Sequence, residues 1–227
     1  MNKLHSRILA GGLLLSPVLI TAEELARLTV DNAYVENESD PVADASAHLA
    51  AVADGLVWWH TAAYVNLAFV ATWALALLAI TIVVARTRPV AAAACGLLGL
   101  VSVLGVALHW GFYYLPLASL AQEPDRDLAA RALDALGDDT MLVVALVMFL
   151  LGTLTAVVSA GVGLWRAHAL PWWGAVGFAT WLGYLVLGSE ARAAALFNLA
   201  LLLPFVAVAR QLTPDAHGAR QEEPARV

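Results

Sequence analysis

The chain has 227 residues, of which 61% are hydrophobic and 13% charged, and its formal net charge is −6. A soluble domain has about 45–50% apolar and about 25% charged residues, so this composition excludes an ordinary soluble globular protein. The single cysteine, Cys95, excludes an internal disulfide and a cysteine-based metal cluster. The sequence contains no phosphate-binding loop, nucleophile elbow or basic aromatic patch, so we expect no nucleic-acid partner.

Long apolar runs divide the chain into six predicted transmembrane helices. A helix needs about 20 apolar residues to cross a hydrocarbon core about 30 Å thick, and lipid offers no partner to an unpaired backbone group. The sequence therefore predicts an all-α polytopic membrane helix bundle. The predicted spans are about 8–27, 57–85, 89–113, 141–165, 172–188 and 193–209, with outer loops at 29–56 and 114–140 and a disordered cytoplasmic tail at 211–227.

The first apolar run fits either a cleaved signal peptide or a retained helix. A basic N-terminus precedes it, and Ala22 offers a small residue for cleavage. Ile20 is bulky where a small side chain is required, so we favour a retained span. Pro17 predicts a kink in this span, and Gly12 and Ser16 form a small-residue face that suits close helix contact.

The two long loops are acidic and contain short helical patterns. In the first loop, the segment ADASAHLAAVADG predicts a helix on the surface. In the second loop, DRDLAARALDALGDD places Leu128, Ala132, Leu133 and Leu136 at helical spacing, which predicts an amphipathic helix at the membrane interface.

The distribution of charge predicts the orientation of the chain. The short turns that contain Arg86, Arg88 and Arg166 are basic, whereas the two long loops are acidic. By the positive-inside rule, both termini are cytoplasmic in a multi-pass protein of the plasma membrane. Tryptophan and tyrosine side chains then form belts at the two interfaces.

The depth of a side chain in the membrane can be estimated from its distance along the helix to the basic turns, at about 1.5 Å per residue. This estimate places several polar groups near the outer boundary of the membrane. Polar groups inside a membrane are costly and usually face the bundle interior, so we predict a shared pocket that opens outward. Its candidate catalytic acids are Glu23, Glu24 and Glu190. Its candidate ligand-binding residues are Trp58, Trp59, His60, Tyr64, Asn66, His109, Trp110 and Tyr113, with Phe112 and Tyr114 as further aromatic walls.

Each of these residues also has an ordinary structural interpretation. Side chains at helix ends reach headgroup water at little cost, and Glu190 with Arg192 suits a solvated turn. Asn66 and Asn198 suit hydrogen bonds between helices.

Three functions fit this make-up. The first is a pocket for an apolar, isoprenoid-like ligand, in which a carboxylic acid protonates the chain and aromatic faces stabilise a carbocation. Such an enzyme is a membrane-bound lyase or isomerase without a cofactor. The second is a haem or transition-metal site with His60 and His109 as ligands, because imidazole binds these metals. The third is a non-catalytic membrane scaffold or sensor subunit.

The opening RILAGGLLLSPVLITAEELARL, its acidic loop and the following AAVADGLVWWHTAAYVNLAF resemble small six-span integral membrane proteins of high-GC bacteria. This resemblance covers the N-terminal part of the chain and implies a fold rather than an activity. The general make-up is also similar to integral-membrane terpene cyclases, which implies acid catalysis on an isoprenoid chain. The expected partner is a hydrophobic small molecule or lipid within the membrane, and a homo-oligomer is an open alternative.

Overall fold

The structure is a computed structural model that describes residues 2–33, 40–137, 139–187 and 195–212. Every regular element in those ranges is helical, so the predicted all-α class is confirmed for them. Within the same ranges, four helices are long and apolar enough to cross a membrane, which indicates a membrane protein. They are Lys3–Asp31, Leu56–Ala85, Pro89–Leu120 and Thr140–Arg166.

The helices are numbered here in chain order. The first three are α1 (Lys3–Asp31), α2 (Pro41–Asp54) and α3 (Leu56–Ala85). The third candidate span consists of α4 (Pro89–His109), a π-helical turn (Trp110–Tyr114) and α5 (Leu115–Leu120). The remaining elements are α6 (Arg126–Gly137), α7 (Thr140–Arg166), α8 (Trp172–Leu187), a 3₁₀ segment (Leu196–Leu201) and α9 (Leu202–Leu212).

The fifth and sixth predicted spans correspond to shorter elements. Helix α8 has 16 residues, and the next apolar stretch, Leu196–Leu212, begins as a 3₁₀ segment. Both are shorter than the roughly 20 residues that cross a hydrocarbon core. The predicted fifth span ends and the sixth begins within residues 188–194, which lie outside the described residues. The count of six spans therefore stays a prediction.

Both predicted outer loops are shorter than expected because helices extend into them. Helix α1 continues to Asp31, and the third candidate span continues to Leu120. The surface helix expected in the first loop is α2, and the amphipathic helix expected in the second is α6. In helix α6, Ala129 is fully buried, whereas Leu128, a member of the predicted apolar stripe, is 57% exposed.

Two apolar cores lie at different levels of the bundle. The larger core lies among α1, α3, α4, α7, α8 and α9 and includes the buried Trp73 and Phe205. The smaller core includes Trp59 and Tyr114, and it lies where α2, α5 and α6 pack over the adjoining ends of α1 and α3. The short helices thus close one end of the bundle.

Glycines allow close contacts between helices, as at Gly12 and Gly105. A Cβ atom at Gly12 would lie 2.4 Å from the Cβ of Leu75, which confirms the predicted close contact at this face of α1. A Cβ atom at Gly105 would lie 2.4 Å from the carbonyl carbon of Met148, so the backbones of α4 and α7 touch there. Helix α1 continues through Pro17 as one helix.

Candidate functional site

A π-helical turn at Trp110–Tyr114 carries aromatic side chains toward α1 and α3. Pro116 follows Phe112 by four residues, and proline lacks the N–H that a regular helix would offer to the Phe112 carbonyl. The π-helical turn therefore coincides with the position where the N–H of residue 116 is missing. The apolar run predicted a regular helix through these residues, so the turn was not predicted. Single π turns inside α-helices occur frequently at functional sites.

Glu23 is buried on α1 against this turn. Its side chain is 4% exposed and accepts a hydrogen bond from the hydroxyl of Tyr114, which is itself fully buried. The Tyr114 carbonyl accepts a hydrogen bond of 3.1 Å from the Trp59 indole. Arg27 Nε lies 3.9 Å from Glu23 Oε1, and its NH1 pairs with Asp31. Glu23 is therefore held by protein groups on both sides, in a closed environment.

Five of the eight predicted ligand-binding residues lie near this buried acid or in the neighbouring core. These interior members are Trp59, Asn66, His109, Trp110 and Tyr113. The His109 ring stacks between Tyr113 and Phe149, at centroid distances of 4.9 and 4.5 Å. The Trp110 indole donates to a backbone carbonyl of α3 at 2.8 Å. Within the described ranges, the buried Nδ1 of His109 and Oδ1 of Asn66 have no hydrogen-bond partner.

Three predicted members face outward instead. Trp58 is 52% exposed and Tyr64 is 71% exposed, and the exposed His60 ring lies 6.5 Å from that of Tyr64. His60 and His109 therefore occupy different surroundings, one on the surface of the bundle and one between aromatic rings. No group of three or more histidine, cysteine or carboxylate residues suited to a metal occurs in the part of the chain that is described. The haem or metal alternative stays a prediction.

Glu24 projects in a different direction from Glu23, because successive residues of an α-helix point about 100° apart. Its Oε2 accepts hydrogen bonds from the Tyr184 hydroxyl at 3.0 Å and from Asn198 Nδ2 at 2.7 Å. The Trp181 indole donates to Asn198 Oδ1 at 2.8 Å, which fixes the orientation of the amide. Helix α8 and the 3₁₀ segment thus supply the partners of Glu24.

A cavity of about 70 Å³ adjoins Glu24, at a position enclosed by α1, α3, α4, α7, α8 and the 3₁₀ segment. Most of its wall is aromatic or aliphatic, and includes Ile20, Phe69, Trp73, Phe149, Trp181 and Leu201. Leu150, on α7, also lines the cavity and is itself 46% exposed at the surface of the bundle. The arrangement combines one carboxyl group with a mostly apolar chamber.

Hydrogen bonds between helices fix part of this wall. The Trp73 indole donates to Ser102 Oγ at 2.9 Å, and the Ser102 and Thr153 hydroxyl oxygens lie 3.0 Å apart. These contacts join α3, α4 and α7. On α1, the buried Ser16 hydroxyl lines the cavity and has no hydrogen-bond partner among the described residues.

The three predicted acids therefore have different outcomes. Glu23 lies in the closed site, Glu24 lines the cavity, and Glu190 lies outside the described residues. Trp181 and Tyr184 were not among the predicted site residues. Their spacing of three residues puts them on one face of α8, and this spacing is the signal that could have indicated them.

Comparisons with protein-family models, with curated proteins and with solved structures find no match for this chain.

Proposed function

We propose that this protein is a multi-pass membrane protein that binds an apolar, isoprenoid-like ligand in the cavity beside Glu24. The observation that carries the proposal is a carboxyl group held by Tyr184 and Asn198 at the wall of an aromatic and aliphatic chamber. Small-molecule sites commonly combine apolar walls with a few fixed polar groups. In the orientation favoured by the charge distribution, both termini are cytoplasmic in the plasma membrane.

The small size of the cavity and the exposure of Leu150 at its wall support a chain-like ligand that enters at α7. The cavity of about 70 Å³ is smaller than the roughly 150 Å³ space that holds a benzene ring in an engineered protein core. A bound ligand therefore inserts one end beside Glu24, and the rest of its chain follows the surface of α7 near Leu150. Entry at Leu150 delivers the ligand directly from lipid, which suits a molecule that is insoluble in water.

The catalytic form of the proposal is an acid-initiated isomerisation or cyclisation. Glu24 in its acid form donates a proton to a carbon–carbon double bond of the ligand, and the faces of Trp73 and Trp181 stabilise the resulting carbocation. Loss of a proton from the product cation to the Glu24 carboxylate restores the acid. Atoms and charge balance without a cofactor, so the reaction is that of an isomerase.

Binding is tested with the full-length protein in lipid nanodiscs, by following tryptophan fluorescence during titration with geranylgeraniol. We expect saturable quenching because Trp73 and Trp181 line the cavity. Glu24→Gln should weaken binding, whereas Glu23→Gln serves as the matched control at a site outside the cavity. Leu150→Trp should block the proposed entry of the ligand at α7. Equal quenching by the wild type and by Leu150→Trp would contradict the proposed cavity.

Catalysis is tested separately by incubating the protein with an unsaturated polyprenyl alcohol in D₂O and analysing the recovered lipid by mass spectrometry. Protonation by Glu24 and later deprotonation predict incorporation of deuterium that depends on Glu24. Saturable binding without any Glu24-dependent deuterium would reject the enzyme and leave a binding or sensor protein.

A further inference from the structure

A wide groove lies at the end of the bundle opposite α2 and α6. It has a volume of about 550 Å³ and lies between the first turns of α4 and the last turns of α7. Arg88 and Arg166 lie at its rim, and Val90, Ala94 and Val162 line its walls. The groove is separate from the Glu24 cavity and shares no lining residue with it.

The rim of the groove is positively charged. Arg88 and Arg166 are both exposed, and neither forms an ion pair with a carboxylate of the described ranges. Arg88 Nε donates to the Arg166 carbonyl at 3.3 Å, which holds the Arg88 guanidinium beside the end of α7. Helix α4 also begins here, with Pro89 in its first turn and no side-chain cap, so its N-terminal amides add partial positive charge. This rim suits an anion.

The walls below the rim are apolar and open. Val90 is 84% exposed and Val162 is 48% exposed, so these side chains do not contribute to the core of the bundle. Trp165 and Trp172, at the same end, are 60% and 76% exposed. Exposed tryptophans of membrane proteins typically lie at the level of lipid headgroups. The groove therefore begins at headgroup level and continues toward the hydrocarbon region.

We propose that this groove binds one anionic phospholipid, with its phosphate between Arg88 and Arg166 and an acyl chain along Val90, Ala94 and Val162. A free phosphate ion uses the charged rim but leaves the apolar walls uncovered, whereas a phospholipid covers both. In the orientation proposed above, the groove faces the cytoplasmic leaflet, where anionic lipids attract nearby basic residues.

The test measures lipid binding to the full-length protein by native mass spectrometry from detergent, with phosphatidylglycerol and phosphatidylcholine of identical acyl chains. We expect preferential retention of phosphatidylglycerol. Each of Arg88→Gln and Arg166→Gln should weaken its binding roughly fivefold, and the double variant roughly 30-fold, because one basic residue near an anionic surface contributes about 1 kcal/mol. Arg126→Gln with Arg131→Gln, on α6, is the matched control and should change little.

Two further measurements distinguish lipid binding from the binding of other anions and from a loss of folding. Ala94→Trp fills the groove at an exposed position and should weaken phosphatidylglycerol binding while both arginines remain. This variant tests whether the groove binds the lipid even if the double arginine variant does not fold. Equal retention of the two lipids, equal loss in the control variant, or displacement of phosphatidylglycerol by equimolar inorganic phosphate would overturn the proposal.

Discussion

Glu23 and Glu24 are neighbours in sequence, and each accepts a hydrogen bond from a tyrosine hydroxyl, yet their surroundings differ. Glu23 is buried where α1 packs against the π turn, and both Tyr114 and Arg27 contact it there. Glu24 adjoins a cavity and is held by groups from α8 and the 3₁₀ segment. Two identical side chains on one helix thus meet a closed set of partners or a cavity according to the direction in which each projects.

The largest expected effect distinguishes the two acids. Glu23→Ala removes the acceptor of the buried Tyr114 hydroxyl, leaves Arg27 with Asp31 alone and opens a cavity in the closed core, so we expect the free energy of unfolding to fall by about 3 kcal/mol. Glu24→Ala should lower it by only about 1 kcal/mol, because its partners lie beside a cavity, while abolishing ligand binding. The measurement is unfolding in mixed detergent micelles, followed by circular dichroism. The opposite order of the two stability losses would contradict this distinction between the two acids.

A second prediction concerns the wall of the Glu24 cavity. Gly105 contacts the α7 backbone next to Phe149, so Gly105→Ala should push α4 and α7 apart and destabilise the protein by about 2 kcal/mol. It should also change ligand affinity, because Val106 and Phe149 line the cavity. The control is Gly11→Ala, since a Cβ atom there meets nothing within 4 Å. Thermal unfolding and fluorescence titration of both variants check this, and equal behaviour of the two would refute it.

The sequence predicted the fold class well because that class depends on local composition. The length of apolar runs and the positions of basic turns are properties of short segments, and they indicated the four helices that can cross a membrane. The π turn was not predicted, because Pro116 is compatible with several local geometries and the aromatic contacts that accompany the turn involve α1 and α3.

The candidate site was predicted only in part, for a geometric reason. Counting residues along a helix gives the depth of a side chain but not its direction around the helix axis. His60 and Tyr64 therefore entered the same predicted pocket as Glu23, although the structure exposes both on the surface of the bundle. Using the helical period of 3.6 residues would have grouped Ser16, Ile20 and Glu24 on one face of α1, which is the face that lines the cavity.

Replacing the tyrosine that donates to each acid tests the same difference between Glu23 and Glu24 without changing either carboxyl group. Tyr114→Phe leaves the buried Glu23 carboxyl without its hydroxyl donor, so we expect a loss of about 1.5 kcal/mol in the free energy of unfolding. Tyr184→Phe should cost roughly 0.5 kcal/mol, because Asn198 still donates to Glu24, and should mainly weaken ligand binding. Denaturant unfolding and ligand titration on each variant measure the two effects. A larger stability loss for Tyr184→Phe would show that the Glu24 site is also structural.

The smallest expected effect has the opposite sign. The Ser16 hydroxyl is fully buried at the cavity wall and lacks a hydrogen-bond partner within the described ranges. Burial of an unpaired hydroxyl costs free energy, so Ser16→Ala should raise the free energy of unfolding by up to about 1 kcal/mol in the absence of ligand. If the ligand carries a hydroxyl group that bonds to Ser16, the same variant should bind it more weakly. A stability loss instead, measured by unfolding without ligand, would mean that ordered water already satisfies this hydroxyl, and the cavity would then be wet rather than apolar.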